Sequence, residues 1–223
     1  MNTATIIAVV AACFIPLIAL FICLKILIKE FKTLTGLIAI LLGLLAVIPI
    51  AAIQFFISNS NFTAASLGAI LLQAILFNGL IEESIKMAFI FLLPAKKTNS
   101  ASFFSYSLLL GLSLACFETV IYLISGFLKI ELRILTAAII HASCSGLAGL
   151  FVYTIKKYIV PKQIMAFIIA VLLHGVYNYL AAFPKTSFIH YFSIPVIICA
   201  IVECRIHYRA VKEDCEQNKS DVL

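Results

Sequence analysis

The chain has 223 residues, of which 64% are hydrophobic and 12% charged. Soluble domains run at roughly 45–50% apolar and about 25% charged, so this composition excludes a soluble protein with or without an anchor. The formal net charge of +6 then reads as loop charge at a membrane surface, and no nucleic-acid partner is expected.

A spanning helix needs about 20 apolar residues. Seven such runs are predicted, over residues 4–28, 35–57, 64–94, 101–127, 133–155, 163–183 and 187–204. The first is too long for the apolar core of a secretory signal. The third is long enough to be tilted, broken or partly re-entrant. Short breaks separate the runs, at Lys29–Lys32, Ser58–Phe62, Pro94–Ser100, Lys129–Arg133, Lys156–Lys162 and Pro184–Ser187. The fold class is therefore all-α, a polytopic bundle. Residues 1–204 form one transmembrane domain with its site region at 64–183, and 205–223 form a charged, flexible cytoplasmic tail.

Loop charge sets the orientation. Alternate segments hold Lys25, Lys29 and Lys32; Lys96 and Lys97; Lys156, Lys157 and Lys162; Arg205, Arg209, Lys212 and Lys219, which is twelve of the sixteen basic residues. The other segments hold Lys129, Arg133 and Lys185. The positive-inside rule puts the N-terminus outside and the C-terminus in the cytoplasm. Seven cysteines without a CxxC pair read as small buried hydrophobes in a reduced setting rather than a disulfide framework.

Between Ala64 and Leu93 the only ionisable residues are Glu82, Glu83 and Lys86. Each charge at a bilayer centre costs roughly 2.5–3.5 kcal/mol, and a helix that only had to span could carry leucine instead. An intramembrane functional site is the leading expectation. Glu118, His141, His174 and Asn178 interrupt the next three spans. At about 1.5 Å per residue, Glu82 lies about 18 Å from the cytoplasmic end, Glu118 about 26 Å, His141 about 21 Å and His174 about 16 Å. Four helices thus place ionisable groups in one band.

The spacing adds detail. Lys86 is four residues after Glu82 and three after Glu83, so it can neutralise one carboxylate. The two glutamates point about 100° apart, one towards a reaction centre and the other towards a neighbour. Glu118 and Tyr122, His141 and Ser145, and His174 and Asn178 are each i,i+4 pairs that can share a face. Two histidines and several carboxylates around a pocket suit a metal such as zinc, with His141 and His174 as candidate ligands and Glu118 as a further ligand or a partner. They suit equally a metal-free activation of water by a buried glutamate. His190 and His207 near span ends read as interfacial, and Gly111, Gly146, Gly149 and Gly175 as points of close helix approach.

The ordered set Glu82-Glu83-x-x-Lys86, Glu118-x-x-x-Tyr122, Arg133 then His141, and His174-x-x-x-Asn178 resembles the PrsW family of intramembrane proteases, within the superfamily that includes CAAX prenyl endopeptidases. Leu114 and Thr119 stand where the family often has Phe and Asn. The resemblance implies a protease in a bacterial cytoplasmic membrane that cuts membrane-protein substrates, anti-sigma factors among them. In that reading Glu82 or Glu83 activates water, His141 and His174 bind a metal or stabilise the oxyanion, Glu118 assists and Asn178 orients. Two rivals stand beside it. A CAAX-type peptidase acting on lipidated proteins expects Glu-Glu-x-x-x-Arg, whereas Met87 stands at the last position. A proton-coupled transporter would use the same carboxylates as a relay.

Overall fold

A computed structural model describes residues 3–58, 66–124, 131–158, 163–184 and 186–220. Asn61, Lys129, Lys162 and Lys185 lie outside the described residues, as does the side chain of Arg133. No strand occurs among the described residues, and seven helical stretches are long and apolar enough to cross a membrane.

The first span is made of α1 (Thr3–Cys13) and α2 (Ile15–Leu27), joined at Phe14 with Pro16 in the first turn of α2. The second is α3 (Thr33–Ser58), which carries Pro49 in its interior. The third is continuous but not uniform. It runs through α4 (Leu67–Gln73), a π-helical segment (Ala74–Ile81) and α5 (Glu82–Ile90). Then come α6 (Ser100–Ile124), α7 (Glu131–Tyr158), α8 (Ile164–Ala181), the short α9 (Phe188–Tyr191) and α10 (Ser193–Ser220).

Helices α6 and α7 form the centre and are buried along most of their described length. The outer helices turn large aliphatics outward, such as Ile15, Ile22, Leu41 and Ile198. That surface has the composition of a lipid-facing one, which is why the chain is so apolar. Close approach at the centre depends on small residues. A Cβ on Gly111 would collide with the His141 carbonyl oxygen and Ser145, and one on Gly149 with Ser107. Van der Waals contact of this kind holds helices together where lipid tails remove the hydrophobic drive.

Two expectations change. The cysteines are all free, but Cys23 and Cys199 are exposed on the outer surface rather than buried. The region after Arg205 is not a loose tail: α10 continues to Ser220. The reason is a seam. Cys204, Tyr208, Val211 and Cys215 recur at intervals of four, three and four residues, the spacing of one helix face. Val211 is fully buried, the Tyr208 ring sits 5.2 Å from that of Phe104, and the Tyr158 hydroxyl donates to Cys215 Sγ at 2.9 Å. Charged residues such as Arg205, Arg209 and Glu213 take the exposed face.

Candidate active site

The third span is built to aim two glutamates inward. Ser66 caps α4 by accepting from the Ala69 N–H at 3.2 Å. Over Ala74–Ile81 the backbone widens to a π-helix. Such a turn holds one residue more than an α turn, so it rotates everything after it by about 100°. Glu82 and Glu83 follow at once, with Glu82 2% exposed and Glu83 fully buried. The π segment also lets α8 approach. A Cβ on Gly79 would strike the Val171 carbonyl oxygen, and one on Gly175 would lie 2.5 Å from Ile75 Cα. His174, next to Gly175, is thereby pressed onto the glutamates.

Four spans contribute to the cluster. Lys86 Nζ lies 2.5 Å from Glu83 Oε1, 3.6 Å from Glu82 Oε1 and 3.5 Å from His141 Nδ1. His141 has Glu82 Oε1 3.0 Å from Nδ1 and Glu118 Oε2 3.0 Å from Nε2. His174 Nδ1 lies 2.6 Å from Glu83 Oε1, and its Nε2 lies 3.7 Å from Glu82 Oε1. The two imidazoles meet edge to face, 4.6 Å between centroids.

The carboxylate contacts are consistent with one pair of tautomers. If His141 donates its Nε2–H to Glu118, its Nδ1 carries a lone pair that can accept from Lys86 Nζ at 3.5 Å. If His174 donates its Nδ1–H to Glu83, its Nε2 carries a lone pair too. Both lone pairs then face Glu82. Neither Glu82 Oε1 nor His174 Nε2 has a hydrogen bond of sound geometry, although both are buried. Glu82, His141 and His174 each offer one ligand atom within 4.8 Å of the other two. Lys86 Nζ stands beside Glu82 Oε1 and His141 Nδ1, at 3.6 and 3.5 Å, and the buried group of Glu82, His141 and His174 could hold a metal ion.

A scan against family models matches residues 32–202 to the PrsW family of intramembrane metalloproteases. The chain belongs to that family. It is an intramembrane protease, an enzyme embedded among lipids whose substrates are membrane proteins. No curated protein and no solved structure matches the chain significantly.

The remaining expected residues fall around the PrsW-family cluster at different distances. A cavity of about 140 Å³ opens beside it, lined by Val47, Ile50, Ala51 and Gln54 of α3, by Glu82, and by Leu114, Glu118, Ile121 and Tyr122 of α6. Tyr122 therefore faces the same space as the carboxylates. Glu118 is 18% exposed at its side chain, far more than Glu82. Asn178 is half-buried, and among the described residues its side chain makes no hydrogen bond to His174; Glu83 takes that place. Ser145 likewise makes none to His141, which is held by Glu118. His190 is buried against the Phe183 carbonyl oxygen at 3.0 Å, and His207 is held by Gln163 at 2.6 Å, both remote from the cluster. Gln54 is a cavity residue that sequence reasoning missed. Its one signal was a lone amide in an otherwise apolar span.

Proposed function

We propose that this protease hydrolyses a peptide bond of a membrane-protein substrate inside the bilayer, using water that Glu118 deprotonates beside a divalent cation held by Glu82, His141 and His174. The observation that carries this reading is the convergence of Glu82 Oε1 and His174 Nε2, buried and unbonded, on His141. Charge agrees with it. Three carboxylates, Glu82, Glu83 and Glu118, face one ammonium, Lys86, which leaves two negative charges at membrane depth. Uncompensated, they would be costly there, and a divalent ion neutralises them. Two imidazoles and one carboxylate are a donor set that catalytic zinc accepts.

Relative to the sequence reading, Glu82 and Glu118 exchange roles. Glu82 joins the ligand set, and Glu118 becomes the base because its carboxylate faces the cavity. Glu83 reaches neither. It orients His174 and is neutralised by Lys86, as Glu118 also orients His141, and such outer partners fix the ring and its tautomer. When bound, the metal supplies Lewis acidity to the scissile carbonyl and acidifies water. Glu118 takes one proton from the attacking water and returns it to the departing amine nitrogen, so the peptide bond yields one carboxylate and one amine. The cavity between α3 and α6 is the route by which the substrate backbone reaches Glu118. A bacterial cytoplasmic membrane and an anti-sigma factor substrate fit the family.

Glu118→Gln is the test. In detergent, without any ion gradient, it should cut a single-span protein substrate at least a hundredfold more slowly than wild type, the scale of a lost general base. Normal cleavage by this variant would contradict the assignment.

A further inference from the structure

The loops rich in lysine converge at one end of the bundle, and they enclose space. A cavity of about 560 Å³ is lined there by Lys96 and Lys97 between α5 and α6, Lys157 of α7 and Lys212 of α10, against Glu30 and Glu216. Its basic side chains come from three separate parts of the chain. Glu30 is already engaged, accepting from Asn99 Nδ2 at 2.8 Å, and Glu216 sits 3.8 Å from Lys212. Among the described residues no carboxylate lies within ion-pair distance of Lys96, Lys97 or Lys157. Four ammonium groups against two carboxylates leave an excess of two positive charges. A second cavity, of about 330 Å³, shares Lys97 with the first and adds Lys29 and Lys32.

Basic loops alone are what the positive-inside rule requires, and they need no ligand. Here the lysines also line a concavity of the size that takes a small molecule. One wall is the end of α10, docked by buried Val211 and by the bond from Tyr158 to Cys215. The depth identifies the source of the anion. The cavity lies where one helix long and apolar enough to span ends at Tyr158 and another begins at Ser100, and span length alone puts such helix ends at the headgroup layer. The rings of Tyr153, Tyr158 and Tyr208 line it too, and aromatic residues of this kind favour that layer.

We propose that this cavity binds the phosphodiester headgroup of an anionic membrane lipid. Basic pockets between helices at this level take such headgroups, and each lysine contributes roughly fivefold to the affinity. The site is independent of the catalytic reading.

The test uses the full chain in detergent micelles doped with phosphatidylglycerol or phosphatidylcholine, with bound lipid counted by native mass spectrometry. Phosphatidylglycerol should be retained in preference. Lys96→Gln with Lys157→Gln should weaken its retention about 25-fold, while Arg209→Gln, an exposed charge outside the cavity on the same helix as Lys212, should change it less than about twofold. Unchanged melting and substrate cleavage would show that the double variant is folded. Should it not fold, Lys96→Gln alone, on an exposed loop residue, should still give the roughly fivefold loss. Equal retention of the two lipids, or an equal loss in Arg209→Gln, would reduce the effect to diffuse surface charge and overturn the site. Inorganic phosphate alone binding as tightly as the lipid would overturn the lipid assignment.

Discussion

Lys86 is fully buried and touches both glutamates and His141. Buried pairs add little net stability, but removing one partner strands the other at a cost of about 3–5 kcal/mol. Lys86→Met should therefore lower the melting temperature in detergent sharply, because Glu83 loses its counter-charge. Adding Glu83→Gln should restore much of the loss, and a double variant no more stable than Lys86→Met would show that the ammonium is not the neutralising group. Helix geometry sets adjacent residues about 100° apart, yet Glu82 and Glu83 both reach Lys86 and His174, because the long side chains bend back to one cluster. The partners of the histidines were not legible in the sequence either. An i,i+4 spacing permits Asn178 to support His174 and Ser145 to support His141, but it cannot say whether another helix supplies a stronger acceptor. Glu83 and Glu118 do so here.

At the scale of elements, the cluster depends on how closely α8 meets the π segment. Gly175→Ala should force the backbones of α8 and the third span apart, since the new Cβ would lie 2.5 Å from Ile75 Cα. A misplacement of about 1 Å at a reacting centre can cost a hundredfold, so cleavage should fall roughly tenfold to a hundredfold. Gly68→Ala, which meets nothing within 4 Å, should cleave as wild type does and serves as the control. The seven spans were legible because apolar length alone determines them. The π segment was not, because no residue type encodes a π turn; Gly79, within it, packs closely on the Val171 carbonyl of α8. The helical end of α10 was half legible. Its seam of Cys204, Tyr208, Val211 and Cys215 is in the sequence, but the surrounding charge masked it.

At the scale of the whole molecule, one end gathers the lysine-rich segments, and on the positive-inside rule we propose that this end faces the cytoplasm. Reporter fusions after Lys97 and Lys157 should report inside, and those after Asn61 and Lys129 outside; the reverse pattern would invert the orientation proposed for the chain. Between the two ends, the third, fourth, fifth and sixth spans each place a donor or its support in a single buried cluster. That assembly is the central claim, and metal content per folded molecule tests it most directly. Wild type and Glu118→Gln should each retain close to one divalent ion per chain after purification, whereas Glu82→Gln, His141→Ala and His174→Ala should retain less than about a tenth of that. An ion lost with Glu118→Gln and kept with Glu82→Gln would contradict the account.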